Sequence, residues 1–431
     1  MVKPDQLARR TAQPGSGQLF GCLAKSERGS IAIISAVSLP FLLGFGALAV
    51  DASLWVRAKN GVQGAADAAA NSVGASAVNG DSTAHKHAEA QGVSATNGYQ
   101  NGVNGVTVTM NHPPASGAFV GNALAYEVIV SAPQQLYLAS VFPGLTAPTV
   151  SGRAVVLTTT SPTCLLALEA IVGTDFTVNG NAPLTAQNCD VESDSSGSSS
   201  VNTNGGGSIA ATNVRTMGGV SGNVTATGKI VTNGPYIADP YAGTRSIPPI
   251  PAYQPSNQNR WSGTVSNPGV IAFQGNVTVN GSATLSPGVY IIADGSLNVT
   301  GSITGTGVTI ILTSQNPASD NGVFSFTGNA SINLTAPTSC QSSYCTAGIA
   351  LWADARLPLK DDKLTGSGTM KVDGAIYLPG HTVTYAGNGG NAPSCTQIIA
   401  EQIKVTGTSL FKHQCAGTGV LDPAVTWALV E

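Results

Sequence analysis

The chain has 431 residues, of which 42% are apolar and only 10% charged, with a formal net charge of −3 at pH 7. So many apolar residues with so little net charge exclude a disordered chain, and the absence of a basic excess excludes nucleic acid as a partner. The 52 glycines and 6% aromatics point to short strands and turns, and the length calls for two or three units.

No ionisable side chain occurs between Ile31 and Val50. Wound as a helix, that run spans roughly 30 Å, the thickness of a hydrocarbon core. Lys3, Arg9, Arg10, Lys25 and Arg28 precede it, against Asp5 and Glu27. Basic flanks stay on the cytoplasmic side, so residues 1–28 are expected in the cytoplasm and the chain beyond Asp51 outside it. Ala47-Leu48-Ala49 is a pattern that a signal peptidase could cut. The run is nevertheless longer than a signal core, and Val56, Val62, Ala66, Ala69 and Val73 continue a helical spacing past it. Residues 29–50 are therefore read as a retained transmembrane helix. Pro40 is expected to kink it, and Gly44, Gly46, Ala47 and Ala49 would let another helix approach closely.

Residues 51–160 read as a helix followed by a small α+β unit. "STAHKHAEAQGVSATNGY" predicts a second helix with Ser82 or Thr83 as N-cap. Its His85 and His87 point apart and are not expected to share a metal. Strands are predicted at "VTVTM" from Val106, "LAYEVIVSA" from Leu124 and "TVSGRAVVLTT" from Thr149. A short helix is expected in "QQLYLASVFPG", ending at Pro143-Gly144.

The run from Arg28 and Gly29 through Pro40, Gly44 and Asp51, followed by Gln63 and "AADAAA" at 65–70, resembles the N-terminal segment of Tad (Flp) pilus-assembly proteins of the TadG-like type. The resemblance covers residues 26 to 80 and extends loosely to 160. TadE-type pseudopilins carry a Glu five residues after the processing glycine, where this chain has Ile34, so the segment is read as an anchor. The resemblance implies a structural component in a bacterial inner membrane, with the bulk of the chain in the periplasm or at the cell surface. It also implies other pilus-assembly proteins as partners.

Residues 162–431 carry a nine-residue pattern. "FTVNGNAPL" begins at Phe176, "VTVNGSATL" at Val277, "LNVTGSITG" at Leu297, "FSFTGNASI" at Phe324, "MKVDGAIYL" at Met370 and "IKVTGTSLF" at Ile403, with a looser copy at Val224. Alternation turns one set of side chains inward, and the polar-Gly pair bends the chain. Gly281 is one such turn and is expected to need positive φ. Gly281, Gly301 and Gly328 recur at about the length of one coil of a solenoid. An ordinary β-sandwich shares short strands and turns, but the recurrence favours a right-handed parallel β-helix. "SPGVYII", "GTGVTIILT" and "DGAIYLPG" resemble β-helical ectodomains attached to some TadG-like proteins. The Pro-rich stretch from Ile237 to Gly263 is expected as a long loop outside the coils. "DVESDSSGSSSVNTNGGG" is expected as a loop or a thin outer coil.

Cys164, Cys189, Cys340, Cys345, Cys395 and Cys415 all lie on the exported side, an oxidising setting that favours disulfides. Nearest-neighbour pairing joins Cys164–Cys189, Cys340–Cys345 and Cys395–Cys415 and leaves Cys22 free. Carboxylates that could cleave a polysaccharide are Asp354, Asp361, Asp362 and Asp373, with Arg356, Lys360, Lys363 and His381 nearby. They are read as a solvated loop, and no catalytic, cofactor or metal site is expected. Trp261, Trp352, Tyr236, Tyr241 and Tyr253 could form a binding face but are more simply packing. The function expected is structural, with glycans or surfaces as further partners. The alternative is a polysaccharide-binding or polysaccharide-cleaving envelope protein.

Overall fold

The computed structural model describes residues 27–431 apart from 139, 141–143, 145, 172, 320–321 and 388–393. Cys22 and the basic residues before Glu27 lie outside the described residues, as does much of the short helix expected at 134–144.

One helix, α1, runs from Glu27 to Val78 and passes through Pro40 without a break. It contains an apolar segment long enough to cross a membrane, with a mean hydropathy of 2.2. A second helix, α2, spans Thr83–Thr96 and is capped by Ser82, whose hydroxyl accepts the His85 N–H at 3.2 Å. Three antiparallel strands follow: β1 (Thr107–Asn111), β2 (Ala125–Pro133) and β3 (Thr149–Thr160). The chain's last strand, Ala424–Leu429, returns to pair antiparallel with β3. This sheet therefore draws on residues from both ends of the described chain.

The rest is built mainly of parallel sheets. Successive short strands stack in register on the strands of neighbouring passes of the chain. In one column, Ile271 pairs with Tyr290, then Ile310, Leu351, Ile376, Ile398, Leu165 and Val191 in turn. A second column runs through Val277–Val279, Leu297–Val299 and Phe324–Phe326. A third runs through Ser282–Leu285, Ser302–Thr306 and Ser331–Thr335. The inward residues of all three meet in one core that includes Phe273, Tyr290, Phe324, Phe326, Leu364 and Tyr385.

Stacking order departs from chain order. Passes from 263 to 406 stack consecutively, and the earlier strand Thr163–Ala167 then adds beyond Thr396–Thr406. Passes from 163 to 231 continue the stack from there. The Pro-rich segment is the return path. Ile237 donates its N–H to Asp194 at 2.8 Å, and the Tyr241 hydroxyl donates to Gln397 at 2.7 Å. Ser246 bridges to Cys345 and Tyr253 to Ala272. The path crosses seven strand spacings, about 34 Å, which 16 residues at the extended rise of about 3.1 Å cover with slack.

This strap explains a sequence feature. Strands of the first column read as continuous apolar runs because both of their faces are covered. Ile291, Ile311, Trp352, Tyr377 and Ile399 point away from the main core and pack beneath Ile237 and Tyr241. Tyr241 and Trp261 are fully buried, so these aromatics are packing groups.

Two local expectations need correction. The polar run after Cys189 forms stacked strands at Asp190–Ser193, Val201–Thr203 and Ser208–Ala211, and the first of these is wholly buried. Gly281 does not have positive φ and has open space where a side chain would go. The demanding position is its stacked neighbour Gly301, where a methyl group would collide with the Gly281 carbonyl.

The structure pairs Cys164 with Cys189, Cys340 with Cys345 and Cys395 with Cys415, at Cα separations of 5.5, 4.4 and 5.0 Å. Each link closes a loop of at most 25 residues; Cys164–Cys189 ties two stacked passes together, whereas Cys340–Cys345 closes a turn within the loop before Ile349–Ala353.

Candidate anchor and helix clasp

Helix α1 has two halves with different surroundings. Large side chains from Ile31 to Val50 stand bare, with Ile31 66% and Phe45 70% exposed. In water such a surface is costly, and contact with a hydrocarbon phase removes the cost. Asp51, the first ionisable residue after Arg28, ends this half. It is fully buried, and its carboxylate accepts the N–H groups of Tyr137 and Leu138 at 3.2 Å each. Trp55 adds an indole hydrogen bond to the Gln135 carbonyl at 3.3 Å. The loop before β3 is thereby tied to the helix just beyond its bare half.

The second half lies on the antiparallel sheet. Val62, Ala66, Ala69, Ala70 and Val73 are fully buried against Val128, Val130, Ala154 and Val156. Small side chains are needed because the backbones nearly touch. A Cβ on Gly152 would fall 2.5 Å from the Val62 carbonyl oxygen. Gln63 completes the contact: its Oε1 accepts the Arg153 N–H at 3.1 Å, and its Nε2 donates to the Arg153 carbonyl at 2.7 Å. The same Nε2 lies 2.7 Å from Asp67 Oδ1. Gln63 therefore acts as an extra rung between helix and sheet, steadied by Asp67. The "AADAAA" run forms this close-packed face, and its Asp67 is half-buried and bonded to Gln63.

A buried ion cluster locks the sheet. Glu127 is fully buried and pairs with Arg153 Nε at 2.5 Å, while Arg153 also pairs with Glu431. Burial alone would raise the Glu127 carboxyl. Hydrogen bonds from Asn111, Ser116 and Arg153 and from the Ala115 N–H outweigh it and hold the group at about 2. The cluster joins the last residue of the chain to the sheet that carries the helix.

The four carboxylates that sequence reasoning grouped do not come together. Asp354 pairs with Arg356 at 2.6 Å and accepts the Thr313 hydroxyl at 2.7 Å. Asp361 is exposed, 3.9 Å from Lys404. Asp373 lies 3.8 Å from Lys371 in the third column. Asp362 is no solvated loop residue. It is fully buried, bonded to His381 Nδ1 at 2.6 Å, and accepts the Phe324 N–H at 2.5 Å. The strand pattern explains this, because position 362 alternates inward while Asp361 and Lys363 point out.

Sequence reasoning missed a second set of buried acids. Glu192 pairs with Arg215 and accepts the Thr163 hydroxyl at 3.0 Å, yet burial still raises it to about 7. Asp194, beneath the strap, is raised to about 8 by burial, with Glu192 and Asp239 adding to the effect. The only signal was the acidic start of a run otherwise made mostly of Ser, Gly and Asn. Among the described residues, no group of three or more His, Cys, Asp or Glu is placed to hold a metal ion.

These features define a mainly β protein carried on a long helix, whose first half fits a membrane anchor and whose second half is clasped to a small sheet. Residues 29–76 match the Tad family model, described as Flp pilus-assembly TadE/G-like. No curated protein and no solved structure matches the chain. The matched segment coincides with α1, from the start of its bare half almost to the end of its clasped half. That match supports a general role in pilus assembly, and the bare half of the helix fits a membrane setting.

Proposed function

We propose that the chain is a TadG-like structural component of a Tad/Flp pilus-assembly system, anchored in a bacterial inner membrane by Ile31–Val50. The N-terminus is cytoplasmic and residues 51–431 are exported to the periplasm or cell surface. The observation that carries this reading is the division of the matched helix into a bare lipid-length half and a clasped half. The basic residues before Ile31 support the orientation.

The stacked parallel strands are read as a right-handed parallel β-helix. Two covered faces on the first column, interior aromatics and three local disulfides make it rigid, so it suits a spacer or a surface for attachment. We assign it no catalytic role. The acids once considered for catalysis each sit in a separate structural pairing.

The test is complementation of a deletion strain with the full chain and with Leu43→Arg, which places a charge at mid-membrane at a cost of about 3 kcal/mol. Wild-type chain should restore pilus display and surface attachment, and the variant should not. Normal pili in the deletion strain would overturn the reading. So would release of sugars from polysaccharide by purified protein, which would favour the glycan-active alternative.

A further inference from the structure

Where α1 leaves its bare half at Val50, a small apolar surface gathers around the helix. The Asp51 carboxylate accepts the N–H groups of Tyr137 and Leu138 at 3.2 Å each, and the Trp55 indole N–H donates to the Gln135 carbonyl at 3.3 Å. The loop backbone is thus fixed at the height of Asp51. Its side chains are nevertheless left open, with Tyr137 60% and Leu138 50% exposed. On the helix beside them Leu54 and Val56 are exposed and Trp55 is half-buried. Residues 134–148 contain no Asp, Glu, Lys, Arg or His.

The height of this surface decides what meets it. A hydrocarbon core of about 30 Å lies within a bilayer of about 40–45 Å, so each headgroup layer is about 5–8 Å thick. At the helical rise, Asp51 stands about 1.5 Å and Leu54 about 6 Å past Val50. With Ile31–Val50 filling the hydrocarbon core, Tyr137, Leu138 and Leu54 therefore stand in the headgroup layer, and tilting the helix only lowers them. Trp and Tyr favour this layer, which accommodates an apolar ring and a polar atom together. Arg57, exposed and about 10 Å past Val50, has a stem long enough to bring its cation back to the lipid phosphates.

We infer that this surface is a second membrane contact, in which Tyr137 and Leu138 lie among lipid headgroups beside the anchor. The inference rests on the anchor reading, which sets the height of Asp51. A helix alone in a bilayer is free to rotate and tilt, whereas a helix with a loop fixed beside it rests on the membrane at two points. The small sheet clasped to α1 is then held at a set angle to the membrane. The opposite end of that sheet stands clear of lipid. Helix α1 runs along β3, from Val62 at Gly152 to Gly74 at Val156. The loop between β1 and β2 therefore lies at the far end of β2, about 27 Å from Pro133.

The experiment uses the full chain with Cys22→Ser, reconstituted in vesicles of phosphatidylcholine and phosphatidylglycerol, with one added cysteine carrying a nitrobenzoxadiazole fluorophore. Leu138→Cys reports on the loop, Leu43→Cys on the anchor and Val120→Cys on an equally exposed apolar position in the distal loop. Each is read with a nitroxide quencher on the lipid headgroup and with one at the end of the acyl chain. The headgroup quencher should dim the probe at Leu138 more than the acyl-chain quencher does. The order should reverse at Leu43, and neither quencher should dim the probe at Val120. Dimming at Leu43 with none at Leu138, or with no more at Leu138 than at Val120, would overturn this proposal and leave the anchor standing. That is also the result expected if another protein, absent from the vesicles, covers the surface. No dimming at Leu43 by either quencher would overturn the anchor reading and this proposal with it.

Discussion

The two halves of α1 form one continuous helix, yet they meet different surroundings. Ile31–Val50 carries Ile, Leu, Phe and Val side chains that stand exposed, whereas the segment from Val62 to Val73 buries a face of Ala and Val against a sheet. Side-chain size sets the outcome. Large residues suit a fluid hydrocarbon phase that shapes itself around them. Small residues suit a rigid sheet whose backbone must come close, as at Gly152. The charge-free run therefore marks where the bare half ends, and side-chain size accounts for what each half packs against.

The sharpest way to break the comparison is Gly152→Val. The added side chain meets the Val62 backbone and should destabilise the clasped half by about 3 kcal/mol. Urea unfolding of purified full-length protein checks this, and an unchanged midpoint would mean that the close approach is not required.

Acid acts on the same half through Glu127. Its carboxyl is held at about 2 when folded and returns to the ordinary carboxylate range when unfolded. Its contribution is therefore complete above about pH 4.5 and is lost as the pH falls toward 2. At full strength it is worth roughly 3 kcal/mol, less the relaxation of Arg153. Glu192 and Asp194 have the opposite sign, since their folded values are raised to about 7 and 8. The stack around them is favoured at low pH and loses stability as the pH rises from about 4.5 through those values. Hydrogen exchange against pH should show β2 and β3 loosening in acid, and Asp190–Ser193 loosening as the pH rises from about 4.5 toward 8. A single trend shared by both regions would contradict the assignment.

Smaller effects refine the contrast. Ser82→Ala removes the cap of α2, which packs beside the clasped half, and should cost about 1 kcal/mol in thermal unfolding. Phe45→Ala lies in the bare half and should change the same transition by less than about 0.5 kcal/mol. A large loss from Phe45→Ala would show that the bare half has a protein partner within the fold.

Much of this architecture was legible in the sequence. The uncharged run from Ile31, the Ala-rich face, the cap at Ser82 and the three strands of the small sheet each carry a local signal. The recurring Gly-centred pattern marked stacked strands. Other features depend on contacts between distant segments, which local patterning cannot report. Nothing near Thr163 says that its strand stacks beyond Thr396–Thr406, and nothing near Ile237 says that the Pro-rich segment lies over Trp352 and Tyr377. Asp362 looked solvated because lysines flank it, yet period-two alternation turns it inward to His381. The acids at Asp190–Asp194 were hidden in a run whose composition reads as loop.

The most direct test of the central claim, that Ile31–Val50 crosses a membrane with residues 51–431 outside the cytoplasm, uses the native thiols. The six cysteines beyond the anchor are bridged, which leaves Cys22 as the label site. A membrane-impermeant maleimide added to intact spheroplasts should leave the 43.2 kDa chain unlabelled, and labelling should appear only after the membrane is permeabilised. Labelling of Cys22 in intact spheroplasts, or recovery of a soluble chain that begins near Val50 and lacks Cys22, would contradict it.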